Sequence, residues 1–314
     1  MTQLPRLADQ VGRRILVTGG SGFIGSPVVE GLCRAGAQVV ALDLRPPEQR
    51  LPMTCRVEQC DIRSARLDEV VAEFSPHVVV HLAAEVDVAN SVRCPGQDAD
   101  VNVGGTISVA RAAAAAGTEL MVFAGSCAVF GAVTDLPVGE DHAFAPLTPY
   151  GLSKAAAMGY VEWFASSGAL PATSLILGNV YGSTHPARRG GVISQFLADA
   201  IEGRASVLYG HNRTRDFVHV DDVVDAVLRA CAVPSAGRVN IGSGVETSIA
   251  RVRSLISDAT GRSIPPLRSE APLGDIERMC LRIDKAATLL GWSPRIGLTE
   301  GIGALLPTEA GVST

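Results

Sequence analysis

A run of eight residues near the N-terminus, Thr18-Gly19-Gly20-Ser21-Gly22-Phe23-Ile24-Gly25, constrains the possible folds of this chain most. It follows a short apolar segment typical of a buried strand, residues 14–17, and precedes a predicted helix at 28–35. Gly19 permits a tight turn, Gly22 permits close approach of the backbone to a pyrophosphate, and Gly25 permits close packing of helix on strand. Amide groups at the start of the helix then face phosphates. The run predicts a dinucleotide-binding turn; the alternative is a plain glycine turn.

Apolar strands alternate with helices through the first 180 residues. The predicted strands lie at 14–17, 38–43, 57–62, 78–82, 120–123 and 172–177, and the predicted helices at 28–35, 67–74, 101–116 and 149–167. This alternation predicts an α/β fold, with a doubly wound parallel sheet of the Rossmann type covered by helices on both faces. Ligands of such a sheet bind beyond the carboxyl ends of the strands, where the strand order reverses.

The composition changes after Tyr181, where Pro, Gly and Arg become frequent and the helices shorten. We therefore predict a dinucleotide-binding domain at 1–180 and a smaller C-terminal substrate-binding lobe at 181–314. Segments near 216–243, namely 217–222 and 239–241, are predicted to return to the sheet of the first domain.

Two acidic residues follow predicted strands at the same sheet edge. Asp43 ends the second strand, where a carboxylate accepts hydrogen bonds from the adenosine ribose and repels a 2′-phosphate. This favours NAD over NADP, although Arg45 nearby is a hint in the other direction. Asp61 and Ile62 end the third strand and are candidates for holding the adenine amino group; the alternative for Asp61 is a solvated residue at a strand end.

The candidate reactive centre is Tyr150 with Lys154, four residues apart on one face of a predicted helix. A phenol is a poor base at neutral pH because its pKa is about 10. A nearby ammonium group favours the phenolate and is expected to lower that pKa, as is a nicotinamide cation. The pair beside NAD would then make a general base. Taken alone the spacing occurs by chance on many helices, so the inference depends on the glycine run and on Ser126.

Ser126 follows the fifth predicted strand, in Gly125-Ser126-Cys127-Ala128. Its hydroxyl is a candidate for sharing a proton shuttle or for holding a substrate oxygen; the alternative is a turn serine. Cys127 is not predicted to be a nucleophile, because no motif places a histidine beside it.

Composition excludes several classes of protein. A net charge of −5 argues against a nucleic-acid partner. The seven cysteines lack CxxC pairs and metal-ligand spacing, so we predict free thiols and no metal site. Signal-peptide and membrane-spanning patterns are missing from the sequence, which predicts no membrane partner and a cytoplasmic location.

Taken together, these motifs resemble the extended short-chain dehydrogenases of the NAD-dependent epimerase/dehydratase family over residues 12–303. The motifs are TGGSGFIG, Asp43, DI at 61, HLAA at 81, VNVGGT at 101, SCAVFG at 126, YGLSK at 150, GNVYG at 178, RDFVHVDDVVDAV at 215 and NIGSG at 240. Among members, the segment HLAAEVDVANSV looks most like UDP-glucose (galactose) 4-epimerase-like enzymes.

The resemblance implies a role for each matching position. The cofactor-binding positions for NAD are Gly19, Ser21, Gly22, Phe23, Ile24, Gly25, Asp43, Asp61, Ile62, Leu82, Ala83, Ala84, Asn102 and Lys154. The substrate-binding positions, for a nucleotide-diphosphate sugar and most simply a UDP-sugar, are Ser126, Asn179, Val192, Tyr209, Arg215 and Asp275. The catalytic positions are Tyr150, Lys154 and Ser126.

The subtype follows from what this chain lacks. Dehydratases resembling it carry Asp-Glu after the hydroxyl residue, and decarboxylases carry Glu, whereas this chain has Cys127-Ala128. The resemblance therefore implies 4-epimerisation, in which Tyr150 takes the 4-hydroxyl proton, hydride passes to NAD, the 4-keto sugar turns over, and hydride returns to the opposite face. The alternatives are an NDP-sugar dehydratase or other oxidoreductase of this family, and a non-catalytic NAD-binding sensor.

Two further expectations concern the substrate half and assembly. The family often has an arginine where this chain has Pro272, so Arg268 or Arg278 is expected to replace it in gripping the diphosphate. Helices at about 101–116 and 150–167 pair between subunits in similar proteins. Alanine-rich faces at 112–116 and 155–157 predict a homodimer, with ordinary internal packing as the alternative.

Overall fold

The computed structural model describes residues 10–47, 51–182, 191–210, 212–272 and 274–306. Seven parallel strands form its main sheet, in the order β10-β6-β5-β4-β1-β2-β3. They are β1 (Arg14–Thr18), β2 (Gln38–Asp43), β3 (Cys55–Gln59), β4 (Val78–His81), β5 (Leu120–Ser126), β6 (Ala172–Leu177) and β10 (Gly237–Ile241). From β1 the chain adds β2 and β3 on one side and then crosses to β4 on the other side of β1. The strand order therefore reverses between β1 and β4. The predicted Rossmann-type α/β fold is confirmed.

Helices cover both faces of this sheet because its strands are apolar on both sides. One buried cluster joins the sheet to α2 (Arg66–Phe74), α5 (Gly105–Ala115) and α6 (Pro149–Ser166). A second joins the other face to α1 (Gly25–Arg34), α8 (Val220–Ala230) and α10 (Asp284–Leu290). Two short helices, α3 (Val88–Arg93) and α4 (Pro95–Ala99), precede α5.

A third buried cluster belongs to the C-terminal half of the chain. The elements around this cluster in the C-terminal half are β7 (Asn179–Tyr181), α7 (Gly191–Glu202), β8 (Ser206–Tyr209), β9 (Thr214–His219), β11 (Glu246–Ser248), α9 (Ile249–Thr260), β12 (Pro266–Ser269) and α11 (Leu298–Ala304). The strands here form two small sheets, β11-β9-β7 and β12-β8. No helix in the described part of the chain is long and apolar enough to cross a membrane.

The predicted return to the main sheet is half wrong. Residues 217–219 belong to β9, which pairs with β7 and β11 in a separate sheet, and residues 220–222 begin α8. The edge of β6 is already occupied by β10, from Gly237 opposite Thr173 to Ile241 opposite Leu177. The 239–241 prediction is correct, and α8 packs on the main sheet beside α1.

Three element boundaries also differ from prediction. The third strand is Cys55–Gln59 and not 57–62, because its partner β2 ends at Asp43 and residues beyond Gln59 have no strand to pair with. The fifth strand extends to Ser126. The predicted helix at 101–116 begins as a π-helical turn at Asp100–Gly104 before α5, a local widening that is frequent at functional sites.

Candidate active site

The glycine run forms a tight turn against the end of β4. Gly19 has a φ of +70°, and a Cβ there would lie 2.7 Å from the amide nitrogen of Ala83. A Cβ at Gly25 would overlap the carbonyl oxygen of Gly19. Only glycine therefore fits the turn and the crossing of α1 over it.

The opposite side of the same turn is open. A Cβ at Gly22 would have, among the described atoms, only the Gly19 oxygen within 4 Å, at 3.2 Å. The hydroxyl oxygen of Ser21 is buried and has no hydrogen-bond partner in the described part of the chain. A buried hydroxyl needs a partner, and a pyrophosphate oxygen at the start of α1 would supply one. The turn thus fits the cofactor, with Phe23 and Ile24 completing it before Gly25.

Asp43 lies directly beside this turn at the end of β2. Its carboxylate accepts hydrogen bonds from the Ser21 amide at 3.0 Å and from the Arg45 amide at 3.1 Å. Each carboxylate oxygen can accept a second hydrogen bond, so Asp43 keeps acceptor capacity for ribose hydroxyls.

Asp61 is placed differently from the prediction, in a turn after β3. Both of its oxygens accept hydrogen bonds from the Arg63 guanidinium, at 3.0 and 2.6 Å, and Arg63 also pairs with Asp100. The guanidinium holds the pKa of Asp61 below its ordinary value. Ile62 is buried against Gly105, where a Cβ would overlap it. Adenine binding by Asp61 stays a prediction.

A hydrogen-bonded chain fixes the end of β4, where Leu82, Ala83 and Ala84 follow. His81 Nδ1 lies 2.6 Å from Thr18 Oγ1, and its Nε2 lies 3.0 Å from Thr106 Oγ1. The Ala83 amide donates to Thr18 Oγ1 at 3.3 Å. Burial, with the charge of Lys154, lowers the pKa of His81 to about 3. His81 is therefore neutral and structural, and it ties β1, β4 and α5 together behind the cofactor turn.

The predicted reactive residues meet at the carboxyl end of β5. Thr148 caps α6 and places Tyr150 in its first turn, where the Tyr150 amide donates to Ser91 Oγ at 3.1 Å. Ser126 ends β5, and its hydroxyl favours the ionised form of the Tyr150 phenol. Lys154 follows one turn later, 5% exposed, with its ammonium 4.6 Å from the centre of the Phe123 ring.

Burial controls the protonation of both groups. It raises the pKa of Tyr150 to about 12, although the hydroxyl of Ser126 favours the phenolate. It lowers the pKa of Lys154 to about 8, against the attraction of Asp98. In the protein alone, desolvation of the phenolate outweighs the interactions that favour it, and the lowering of the Tyr150 pKa by Lys154 together with NAD stays a prediction.

Asn102 connects these groups to a residue that the sequence analysis missed. The two hydrogens of its Nδ2 are shared among three acceptors, Asp98 Oδ1 at 3.1 Å, Ser153 Oγ at 3.0 Å and the Glu85 carbonyl at 3.0 Å. Its Oδ1 accepts from the Glu85 amide at 2.8 Å. Asp98 stands four residues before Asn102 in Asp98-Ala99-Asp100-Val101-Asn102, a spacing that indicates contact on a helix. That spacing was the available signal.

Of the predicted substrate residues, the structure brings two into contact. Arg215 Nη2 donates to Asp275 Oδ1 at 2.5 Å, and Arg213 Nη1 donates to the Asp275 carbonyl at 3.2 Å. Arg278, expected to replace an arginine at 272, is instead paired with Glu246 by two hydrogen bonds of 2.7 Å. Arg213 and Arg215 are thus the cations that contact Asp275, three residues after Pro272.

The other three predicted substrate residues lie on three separate elements of the C-terminal half. Asn179 begins β7 opposite Phe217, Val192 packs on the third core cluster from α7, and Tyr209 ends β8 with 46% of its surface exposed. Their roles stay predictions.

Comparison with known proteins agrees with this geometry. A model of the NAD dependent epimerase/dehydratase family matches residues 15–242. UDP-glucose 4-epimerase of Mycolicibacterium smegmatis is 37% identical over 302 residues, 92% of this chain and 96% of that protein. The crystal structure of UDP-glucose 4-epimerase from Thermotoga maritima with UDP-glucose has a TM-score of 0.88 at 32% identity, over 92% of this chain and 96% of that one.

A third similar structure holds the cofactor. MoeE5 in complex with UDP-glucuronic acid and NAD has a TM-score of 0.84 at 34% identity, again over 92% of this chain and 96% of that one. The predicted cofactor, NAD, is confirmed by the family match and by NAD-bound neighbours. This chain belongs to the NAD-dependent epimerase/dehydratase family of extended short-chain dehydrogenases and is an NAD-dependent epimerase.

Proposed function

We propose that this chain is a UDP-hexose 4-epimerase that interconverts UDP-glucose and UDP-galactose. The observation that carries the proposal is the pairing of Tyr150 with Ser126 where β5 ends, followed by two residues without a carboxylate. Cys127 is buried, and burial raises the pKa of its thiol to about 12, so it stays protonated. Ala128 offers only its amide, which donates to Ser126 Oγ at 3.3 Å. Such a site can remove a proton from a hydroxyl and return it, but lacks the second acid that elimination of water requires.

In the proposed mechanism, Tyr150 Oη takes the proton of the sugar 4-hydroxyl, and Ser126 Oγ holds the oxygen that loses it. NAD, when bound, supplies the acceptor for the hydride that leaves C4 and gives it back. Lys154 holds the cofactor ribose and adds a positive charge beside the phenol. The resulting 4-keto sugar turns over while its diphosphate stays fixed, so that hydride returns to the opposite face of C4. Tyr150 protonates the resulting alkoxide, which gives an alcohol of inverted configuration.

The protonation states give this site a dependence on its cofactor. With a pKa of about 12, Tyr150 is a neutral phenol at pH 7 in the protein alone. A nicotinamide cation close to the phenol favours the phenolate and would lower that pKa. We therefore propose that NAD completes the general base as well as accepting the hydride, which restricts proton abstraction to the loaded enzyme.

Two arginines support a negatively charged substrate in the C-terminal half. Arg215 and Arg213 both contact Asp275. The single carboxylate neutralises one guanidinium charge, so the group keeps one net positive charge. Arginine binds phosphate oxygens well because its donors match their spacing. We propose that these residues, with Asn179, hold the diphosphate, and that Val192 and Tyr209 border the nucleotide base. On this basis residues 1–180 form the NAD-binding domain and the remainder mainly the substrate lobe.

The deciding experiment is product analysis. The NAD-loaded protein is incubated separately with UDP-galactose, UDP-glucuronate and UDP-N-acetylglucosamine, and the sugar H4 and anomeric signals are followed by proton NMR. We expect UDP-galactose to convert to UDP-glucose with NAD unchanged at the end. If none of the three sugars is inverted at C4, the proposal is wrong; inversion of another sugar alone would keep the mechanism and correct the substrate.

The same samples distinguish the other chemistries. Stoichiometric NADH would indicate net oxidation, and a stable 4-keto-6-deoxy product would indicate a dehydratase. A sensor that only binds NAD would change no sugar at all. The grouping of half-buried Tyr150 and Ser126 with buried Lys154 argues against the sensor, because a protein that only binds NAD has no use for proton-transfer groups with perturbed pKa values.

We further propose that the chain works as a homodimer through α6, one of the two helices predicted to pair between subunits. In the alanine-rich segments, Ala112, Ala113 and Ala157 are buried in the core of their own chain, whereas Ala115 and Ala156 are exposed. The exposed face of α6 also carries Leu152, Tyr160 and Trp163, with Trp163 59% exposed. Aromatic residues on an exposed apolar face are typical of a protein interface, and a two-fold pairing of α6 would cover them.

Substituting Trp163→Glu is expected to convert the dimer to a monomer at micromolar concentration, because it buries a charge in the proposed interface. Leu267→Glu, on exposed β12 away from α6, is the matched control and should leave the mass unchanged. Sedimentation equilibrium measures both. A monomeric wild-type protein, or equal masses for wild type and Trp163→Glu, would contradict the proposed interface.

A reducing compartment, most simply the cytoplasm, is proposed as the location of the chain. All seven cysteines are free thiols. Free thiols persist where disulfides are kept reduced.

A further inference from the structure

Asp98 is a buried carboxylate joined through Asn102 to the helix that carries the reactive residues. It lies in α4 and is 1% exposed. Its Oδ1 accepts a hydrogen bond from Asn102 Nδ2, while its Oδ2 is buried without a hydrogen-bond partner among the described residues. Removing a carboxylate from water is costly unless a nearby charge compensates, and burial accordingly raises the pKa of Asp98.

Lys154, the neighbour of Ser153 in the chain, supplies a positive charge that acts on Asp98, without a direct ion pair between the two in the described structure. The Asp98 carboxylate raises the pKa of Lys154 against the effect of burial, and the Lys154 charge in turn favours the ionised form of Asp98. The other groups facing Lys154 supply no negative charge: Phe123 offers its ring, His81 is neutral, and Tyr150 is a phenol. Asp98 is therefore the acid whose charge holds Lys154 in its protonated form.

A hydrogen-bonded path also joins Asp98 to the first turn of α6. Asn102 Nδ2 donates both to Asp98 and to Ser153 Oγ, and Ser153 Oγ donates to the Tyr150 carbonyl at 3.0 Å. Ser153 precedes Lys154 in the chain. The carboxylate is thus connected to the backbone of both reactive residues by two intervening side chains.

We propose that Asp98 is a positioning residue of this active site: it keeps Lys154 protonated inside the core and, through Asn102 and Ser153, fixes the first turn of α6. The proposal rests on the proposed function insofar as Lys154 serves the Tyr150 base. Asp98 has no hydrogen bond to the phenol, but its charge also raises the pKa of Tyr150, so Asp98→Asn should lower that pKa as well.

The sequence offers a direct test, because Lys154 and Lys285 are the only lysines in the chain. Lysine labelled with ¹³C at Cε gives two NMR signals, which Lys285→Arg assigns, and Lys285 then serves as an internal reference. In the wild type the Lys154 signal should titrate near pH 8. In Asp98→Asn, which keeps the shape and an acceptor for Asn102, it should titrate about one pH unit lower, since a favourable charge is lost.

Ser153→Ala is the matched control, because it breaks the hydrogen-bonded path and keeps the Asp98 charge. It should leave the Lys154 titration in place while lowering kcat. Asp98→Asn should also move the alkaline limb of the kcat profile to lower pH by the same amount. A Lys154 titration that is equal in wild type and Asp98→Asn overturns the proposal. The NMR titration needs no substrate, so it stands even if no nucleotide sugar is inverted.

Lys154→Met tests the same pair from the other side if Asp98→Asn does not fold. Without the ammonium, the pKa of Asp98 rises further above its unfolded value. A raised folded-state pKa gives stability that is present at low pH and is lost as pH rises through it. Lys154→Met should therefore lose more Tm relative to wild type at pH 8 than at pH 5. A loss of Tm that is equal at both pH values would contradict the pairing.

Discussion

Tyr150→Phe is expected to lower kcat for C4 inversion about a thousandfold while leaving NAD bound. The substitution removes one oxygen, the only group that exchanges a proton with the sugar in the proposed mechanism, and general acid–base catalysis contributes about 10²- to 10⁴-fold. The phenyl ring keeps the packing of a half-buried residue close to Ser126 and Cys127. KM should change little, because the diphosphate and not the reacting hydroxyl supplies most of the binding.

Ser126→Ala is the comparison that makes this result specific. It removes the hydroxyl that favours the phenolate but leaves the phenol in place, so its loss of kcat should be smaller than that of Tyr150→Phe. The double variant should be hardly slower than Tyr150→Phe alone, since both act on one proton transfer. Initial rates with UDP-galactose, coupled to oxidation of UDP-glucose, measure all three. Full activity in Tyr150→Phe would remove the general-base role from this residue.

The cofactor turn and the reactive helix were predictable because their geometry is local. The glycines at 19, 22 and 25 encode a turn within eight residues, and Tyr150 and Lys154 share a face through the helical repeat alone. Only residues adjacent in the sequence are needed to place them, and the structure has the same turn before α1 and the same helix at 149–166.

What was missed depends on contacts between distant segments. The assignment of residues 217–219 to a separate sheet follows from β10 occupying the edge of β6, a competition that no local pattern records. The binding of both Asp61 oxygens by Arg63 depends on a turn conformation. The raised pKa of Tyr150 depends on how deeply the folded chain buries it, which spacing does not specify.

The same limit explains Asp98. In the sequence Asp98 is one of 32 acidic residues. Only the folded chain brings it into contact with Asn102 and lets its charge act on Lys154. The motif residues identify the family, whereas the charges that regulate their protonation come from outside the motifs.

Gly22→Ala is expected to weaken NAD binding about a hundredfold and to leave the stability of the NAD-free protein nearly unchanged. The new methyl group would point to the open side of the turn, where the nearest described atom, the Gly19 oxygen, is 3.2 Å away. That is the side on which the pyrophosphate approaches the backbone. Overfilling a close contact costs about 1–3 kcal/mol, and a hundredfold loss corresponds to about 2.7 kcal/mol.

Gly25→Ala should have the opposite order of effects. Its Cβ would overlap the Gly19 carbonyl whether or not NAD is present, so the NAD-free protein should lose about 3 kcal/mol in its free energy of unfolding. Gly303→Ala on α11, where a Cβ meets nothing within 4 Å among the described atoms, is the control for both. Urea unfolding of stripped protein and calorimetric titration with NAD separate the two losses. Equal NAD affinity in Gly22→Ala and wild type would show that the pyrophosphate lies elsewhere, and the role of the whole turn would have to be reassigned.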